Sequence, residues 1–171
     1  MADEGAASLP ELARSLRALG RPVDEATDAA HDVVFAPLLD ARARASRADA
    51  VDAVAAFRGA ALAARIEALA RAAAVKGQPD AAEGRARTAA VRETLEPLRA
   101  GLLALDTLAP AAAEGGRASA GWALWVEQLK RVFSAADIAC HGVARVLAQV
   151  ADVPAPAARR WSPFRPGGSG R

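Results

Sequence analysis

Apolar side chains recur every three or four residues from Trp122 to Val150, which is the clearest periodic pattern in the chain. Such spacing places them on one side of a helix: Trp122, Trp125, Leu129, Val132, Ala136, Cys140, Val143, Leu147 and Val150. Ser119 precedes the pattern as a candidate N-cap, and Pro154 follows it as a stop signal. The segment therefore predicts one long amphipathic helix with a buried face.

Four earlier segments show the same helical period. We predict helices over residues 8–20, about 23–44, about 47–75 and about 81–108, with a turn at 77–80 and a loop at 109–120. Their core candidates include Val33, Val34, Leu38, Val51, Val54, Phe57, Leu62, Ile66, Leu69, Val91, Leu95, Leu98, Leu102 and Leu105. We expect Pro37 to kink or break its helix, the helical register to continue across Pro97, and residues 46–49 to form a capping box.

The composition favours helices throughout. Hydrophobic residues make up 53% of the chain, but many of them are alanine, and aromatic residues make up only 4%. Alanine, leucine, arginine and glutamate are strong helix formers, and runs of β-branched residues typical of strands are missing. We predict an all-α protein: an alanine-rich antiparallel bundle of four to five helices over residues 8–153, with a flexible N-terminus at 1–7 and a disordered tail at 154–171.

The distribution of charge singles out the tail. Four arginines and no acidic residue follow residue 154, whereas the chain as a whole has a net charge of +2. Within the tail, two aromatic side chains stand among three cations: Arg159, Arg160, Trp161, Phe164 and Arg165. Tryptophan and arginine are the residues most enriched at binding hot spots. The segment is a candidate docking site for a protein partner or an anionic membrane surface, or else it folds back onto the bundle. Nucleic acid is a weaker candidate because the remaining residues are slightly acidic.

Trp122 and Trp125 are two further candidates for partner binding. They begin the last predicted helix beside a glycine-rich loop. Two interpretations remain open: the rings close one end of the core, or they form an exposed anchor for a partner or a second copy. An alanine-based core buries little apolar area per residue, and association into a homo-oligomer is a further hypothesis that follows from this.

The two histidines are the scarcest polar groups, and each follows an aspartate by one helical turn. His31 follows Asp28, and His141 follows Asp137. Such pairs favour a solvated surface interaction, and a small-molecule or metal site using both histidines is the alternative. The paired Glu-x-x-His motifs of di-iron bundles are missing from the sequence.

No motif in the sequence predicts catalysis or a cofactor. Phosphate-binding glycine loops and the nucleophile elbow are missing, and Cys140 falls on the apolar face of its helix. With one cysteine, the chain cannot form an internal disulfide bond. The sequence lacks a signal peptide and a transmembrane segment, so we expect an intracellular, cytoplasmic protein. Because no catalytic motif is found, we expect a protein without enzymatic activity.

Overall fold

The computed structural model describes residues 25–76 and 81–151. It contains five helices: α1 (Glu25–Ala45), α2 (Ala50–Ala56), α3 (Gly59–Val75), α4 (Ala81–Gly115) and α5 (Ala120–Ala151). The described residues include no strand, and the predicted all-α bundle is confirmed. The predicted helix at 8–20, the turn at 77–80 and the tail at 154–171 lie outside the described residues.

The four longer helices run antiparallel to their neighbours. Arg117, just before α5, hydrogen-bonds the carbonyl of Ala45 at the end of α1. Near the other end of the bundle, Arg87 of α4 reaches the carbonyl of Gln149 in α5. We call the end with the connections at 46–49 and 116–119 the loop end. We call the opposite end, where α1 begins and α5 finishes, the terminal end.

The core follows the predicted periodicity closely. The predicted apolar positions of α4 are all buried, as are Val33, Val34 and Leu38 of α1. In α5 the buried positions are Trp125, Val132, Ala136, Ala139, Cys140, Val143, Val146 and Leu147. Alanines fill much of the space between the helices, which is the arrangement expected where helix axes approach closely. Val51 and Leu69, both predicted as core, are instead exposed.

The predicted helix over 47–75 is wrong in one respect, because it is divided into α2 and α3. Phe57 leaves the helical conformation with φ −104° and ψ 49°, and Arg58 is extended. The interruption exposes the first amides of α3 to the carboxylate of Asp106 in α4. The start of α2 also differs from the predicted capping box, since Asp49 is the N-cap and accepts a hydrogen bond from the Asp52 amide at 2.9 Å.

The predicted loop at 109–120 is wrong over most of its length. α4 continues through Pro110 to Gly115, and Ala112 is buried in the core. A proline removes one hydrogen-bond donor, and here packing of the following turn outweighs that loss. The helix ends where Gly116 adopts φ 69°, a left-handed conformation typical of the residue after a helix. α1 likewise continues through the buried Pro37.

Candidate functional site

The two candidate tryptophans lie at the loop end in different environments. Trp125 is only 2% exposed and meets Phe57 edge to face, with ring centroids 5.8 Å apart. Trp122 is half-buried and its ring lies 5.1 Å from that of Trp125. The amide of Trp122 donates to Ser119 Oγ at 3.0 Å, which confirms Ser119 as the N-cap of α5. Of the two rings, Trp122 alone offers a partner any surface.

Arg117 holds the loop end together and was not identified from the sequence. Its guanidinium carbon lies 4.8 Å from the centroid of the Trp122 ring. The same side chain donates to the carbonyls of Ala45 and Ala48, at 3.2 Å and 2.6 Å. A cation at the carbonyl end of α1 is also favoured by the helix dipole. The sequence signal was an arginine after two glycines, which indicates a loop cation but not its contacts.

Asp106 is a second polar side chain with a structural task at this end. Its two carboxylate oxygens accept hydrogen bonds from the amides of Gly59 and Ala60 at 2.7 Å and 2.8 Å. The carboxylate therefore caps α3 from another helix, where a negative charge stabilises the free amides. Gly59 has no side chain to obstruct this approach. A Cβ atom built there would clash with the carbonyl oxygen of Leu102.

At the terminal end, Arg87 has the part that Arg117 has at the loop end. Its side chain is buried, it pairs with Glu83, and one terminal nitrogen donates to the Gln149 carbonyl at 3.3 Å. The bond joins the start of α4 to the last turns of α5. Nη1 of the same guanidinium is buried without a hydrogen-bond partner. The arginine thus stabilises a helix carbonyl end, as Arg117 does at the loop end.

The histidines do not share an environment. His31 stacks on Phe35 with ring centroids 5.0 Å apart, and its Nδ1 is buried without a partner, so the predicted solvated pair is wrong for this residue. His141 is exposed, as predicted, and its Nδ1 lies 2.8 Å from the Asp137 carbonyl oxygen. Among residues 25–76 and 81–151, no group of three or more His, Cys, Asp or Glu side chains is arranged to hold a metal ion.

Cys140 is buried on the apolar face of α5, as its position in the repeat predicts. Burial raises the pKa of its thiol, and the nearby Asp137 carboxylate raises it further. Both effects disfavour the thiolate, which is the reactive form of cysteine. The residue therefore behaves as a small core side chain.

One shallow groove lies between α3 and α4. Its volume is about 280 Å³, including solvent at its mouth, and its lining consists of Ala63, Ile66, Glu67, Arg92, Leu95, Leu98, Arg99 and Leu102. Arg92 pairs with Glu67 across its rim at 3.3 Å. Ligand pockets usually bury most of the ligand. This groove is open to solvent, and the charged side chains at its rim are already paired with one another or with a neighbour.

The boundary between α1 and α5 carries several apolar side chains that are half-buried or exposed. The Arg42 guanidinium of α1 lies 5.9 Å from the centroid of the Phe133 ring of α5. Phe35 and Phe133 are half-buried there, and Leu39 is 44% exposed. The other candidate residues, Arg159, Arg160, Trp161, Phe164 and Arg165, lie outside the described residues.

No sequence family, curated protein or solved structure matches this chain significantly. Among the described helices, none is both long and apolar enough to cross a membrane.

Proposed function

We propose that this chain is a non-enzymatic protein-interaction bundle whose basic and aromatic tail binds an acidic partner. One observation carries the proposal: residues 159–165 combine three arginines and two aromatic side chains without an acidic residue. Aromatic rings supply apolar contact area, and arginines supply charge-assisted hydrogen bonds to carboxylates. A partner with an acidic groove and an apolar floor suits both kinds of group.

Polar contacts between the helices of the bundle support the same proposal. Asp106 accepts bonds from backbone amides of another helix, and Arg117 and Arg87 donate to backbone carbonyls of other helices. Gln128 likewise donates to the carbonyl of Gly101 at 3.1 Å. Within the described residues, these side chains join one helix to another, so their polar groups are already engaged in contacts that hold the bundle together. The bundle is thus best suited to be a rigid support for the tail.

The test is capture of a partner from native lysate by immobilised full-length protein and by two full-length variants. R159A/R160A/R165A removes the tail cations, and W161A/F164A removes the rings. R92A/R99A removes exposed cations from the bundle as a matched control. We expect both tail variants to lose a specific partner about tenfold or more, since hot-spot truncation costs about 2 kcal/mol or more. The control should capture normally.

Equal capture by wild-type protein and both tail variants would refute the proposal. Captured protein must be tested again in purified form, alongside vesicles of anionic lipid and duplex DNA. Binding to vesicles or DNA with no protein partner would assign the tail to a different class of ligand and would also refute it.

A further inference from the structure

We propose that the surface along α1 and α5 binds residues 159–165 of the same chain, so that the tail is held by its own bundle until a partner competes for it. This inference rests on the proposed function for the role of the tail. We call the surface the α1–α5 seam and define it by Asp32, Phe35 and Leu39 of α1, with Phe133 and Asp137 of α5.

Helical spacing aligns the α1 part of the seam. Asp28, Asp32, Phe35 and Leu39 follow one another at intervals of four, three and four residues, which forms one line along a helix. Arg42 extends this side of α1 to its contact with Phe133. On α5, Asp137 stands one turn beyond Phe133 and is also exposed. The seam therefore has apolar groups at its centre and carboxylates beside them.

Charge makes the seam complementary to the tail. Between residues 25 and 41, α1 carries Glu25, Asp28, Asp32 and Asp40 but no lysine or arginine. Asp40 pairs with Arg44 and Arg42 lies over the Phe133 ring, so the charge facing the tail comes from the first half of α1 and from Asp137. The tail segment offers the opposite pattern, with Trp161 and Phe164 set among three arginines. If the aromatic rings of the tail packed on Leu39 and Phe35, its arginines would lie beside the acidic side chains. The apolar and the charged groups of the seam would then both contact the tail.

The chain is long enough for this contact. Because α1 and α5 are antiparallel, α5 finishes at Ala151 near the beginning of α1. From Ala151 back to the level of Asp137 is about 21 Å along the helix, at about 1.5 Å per residue. Trp161 lies ten residues beyond Ala151, a length that spans up to about 33 Å. A short tether also gives the tail a high effective concentration at the seam.

Occupation of the seam reduces the affinity for a partner. A partner binds only the fraction of molecules whose tail is free, so weakening the seam should strengthen capture without any change in the tail. The partner's own groove is then expected to resemble the seam, with apolar groups between carboxylates.

The experiment is limited trypsin digestion of the full chain, followed by mass spectrometry. Trypsin cleaves after Arg159 and Arg160 only while the tail is free, and the rate follows the population of the free form when opening is fast. D32N/D137N weakens the acidic part of the seam, and L39S weakens its apolar part. E93Q/E96Q on α4 and L124S on α5 are the matched controls, since these side chains are also exposed.

We expect D32N/D137N to accelerate cleavage after Arg159 and Arg160 about fivefold, and L39S to act in the same direction, while both controls match wild type. Unchanged cleavage in the seam variants would overturn the inference. Acceleration at Arg14 and Arg17 alone would overturn it too, because the N-terminal segment would then be the occupant. Protection of Arg159 and Arg160 from trypsin that disappears on dilution would also overturn the inference, because the tail would then dock on a second copy of the chain. None of these readouts needs a partner, so the inference and the proposed function can fail separately.

Discussion

At the residue scale, Asp106 is a single carboxylate on which the start of a helix depends. Removing it leaves the part-buried amide of Gly59 without an acceptor. We expect Asp106→Ala to lower the free energy of unfolding by about 1–3 kcal/mol, because an unsatisfied buried donor retains its desolvation cost. Urea denaturation followed by circular dichroism measures this. Glu93→Ala, at an exposed position of α4, is the control, and a cost at position 106 no larger than that of the control would contradict the assignment.

Two glycines make a matched test of helix packing. At Gly59 an added Cβ would meet the Leu102 carbonyl oxygen, whereas at Gly84 the nearest atom is a Val75 methyl carbon at 3.8 Å. We expect Gly59→Ala to destabilise the fold by about 2 kcal/mol or more through overpacking. Gly84→Ala should instead stabilise it by up to about 1 kcal/mol through helix propensity. Thermal unfolding of both variants compares them, and effects of equal sign would argue against the close α3–α4 contact.

The raised pKa of the Cys140 thiol has a defined consequence at alkaline pH. The unfolded chain loses this proton near pH 8.5, while the folded chain keeps it to higher pH. The contribution of Cys140 to stability is therefore complete below about pH 8.5 and is lost as the pH rises through the folded pKa. Cys140→Ala should flatten this dependence of the unfolding free energy on pH. We also expect iodoacetamide to modify the native thiol at pH 8 at least about tenfold more slowly than the urea-unfolded thiol; equal rates would contradict its burial.

At the scale of the element, Arg117 connects the carbonyl end of α1 to the first turn of α5. Arg117→Lys keeps the charge but loses the planar donor fork that reaches two carbonyls. We expect the variant to lose about 1–2 kcal/mol of stability and to expose Trp122 more to acrylamide quenching of fluorescence. Arg131→Lys, on the exposed face of α5, is the control. Unchanged quenching at position 117 would show that the loop end does not depend on this contact.

The elements differ in how far sequence predicts them. Helix α5 was predictable because its apolar repeat continues without interruption from a serine cap. The break at Phe57 was not predictable, because it depends on Asp106, which lies far away in sequence. Pro110 misled the prediction for a related reason, since local propensity indicates a stop while packing of Ala112 continues the helix.

At the scale of the whole molecule, the antiparallel bundle follows from short connections between amphipathic helices. The sequence predicted the candidate site less well than the fold. Trp122 and Trp125 share one sequence pattern, yet Trp125 is enclosed and Trp122 lies under Arg117. The seam was missed because it joins half-buried residues of two helices that are distant in sequence. Helical spacing predicts which residues line one side of each helix, but only the structure shows that α1 packs beside α5.

We propose that the bundle provides stability and that the tail provides binding. The most direct test measures both properties in two variants, one altered in the tail and one in the bundle. The variant R159A/R160A/R165A should unfold within about 1 kcal/mol of wild type, because we propose that these arginines serve binding and not folding, and it should lose the captured partner about tenfold or more. Asp106→Ala should show the reverse, with lower stability and normal capture under conditions where it remains folded. A tail variant that keeps its partner, or an Asp106 variant that loses it while folded, would contradict the division between a structural bundle and a binding tail.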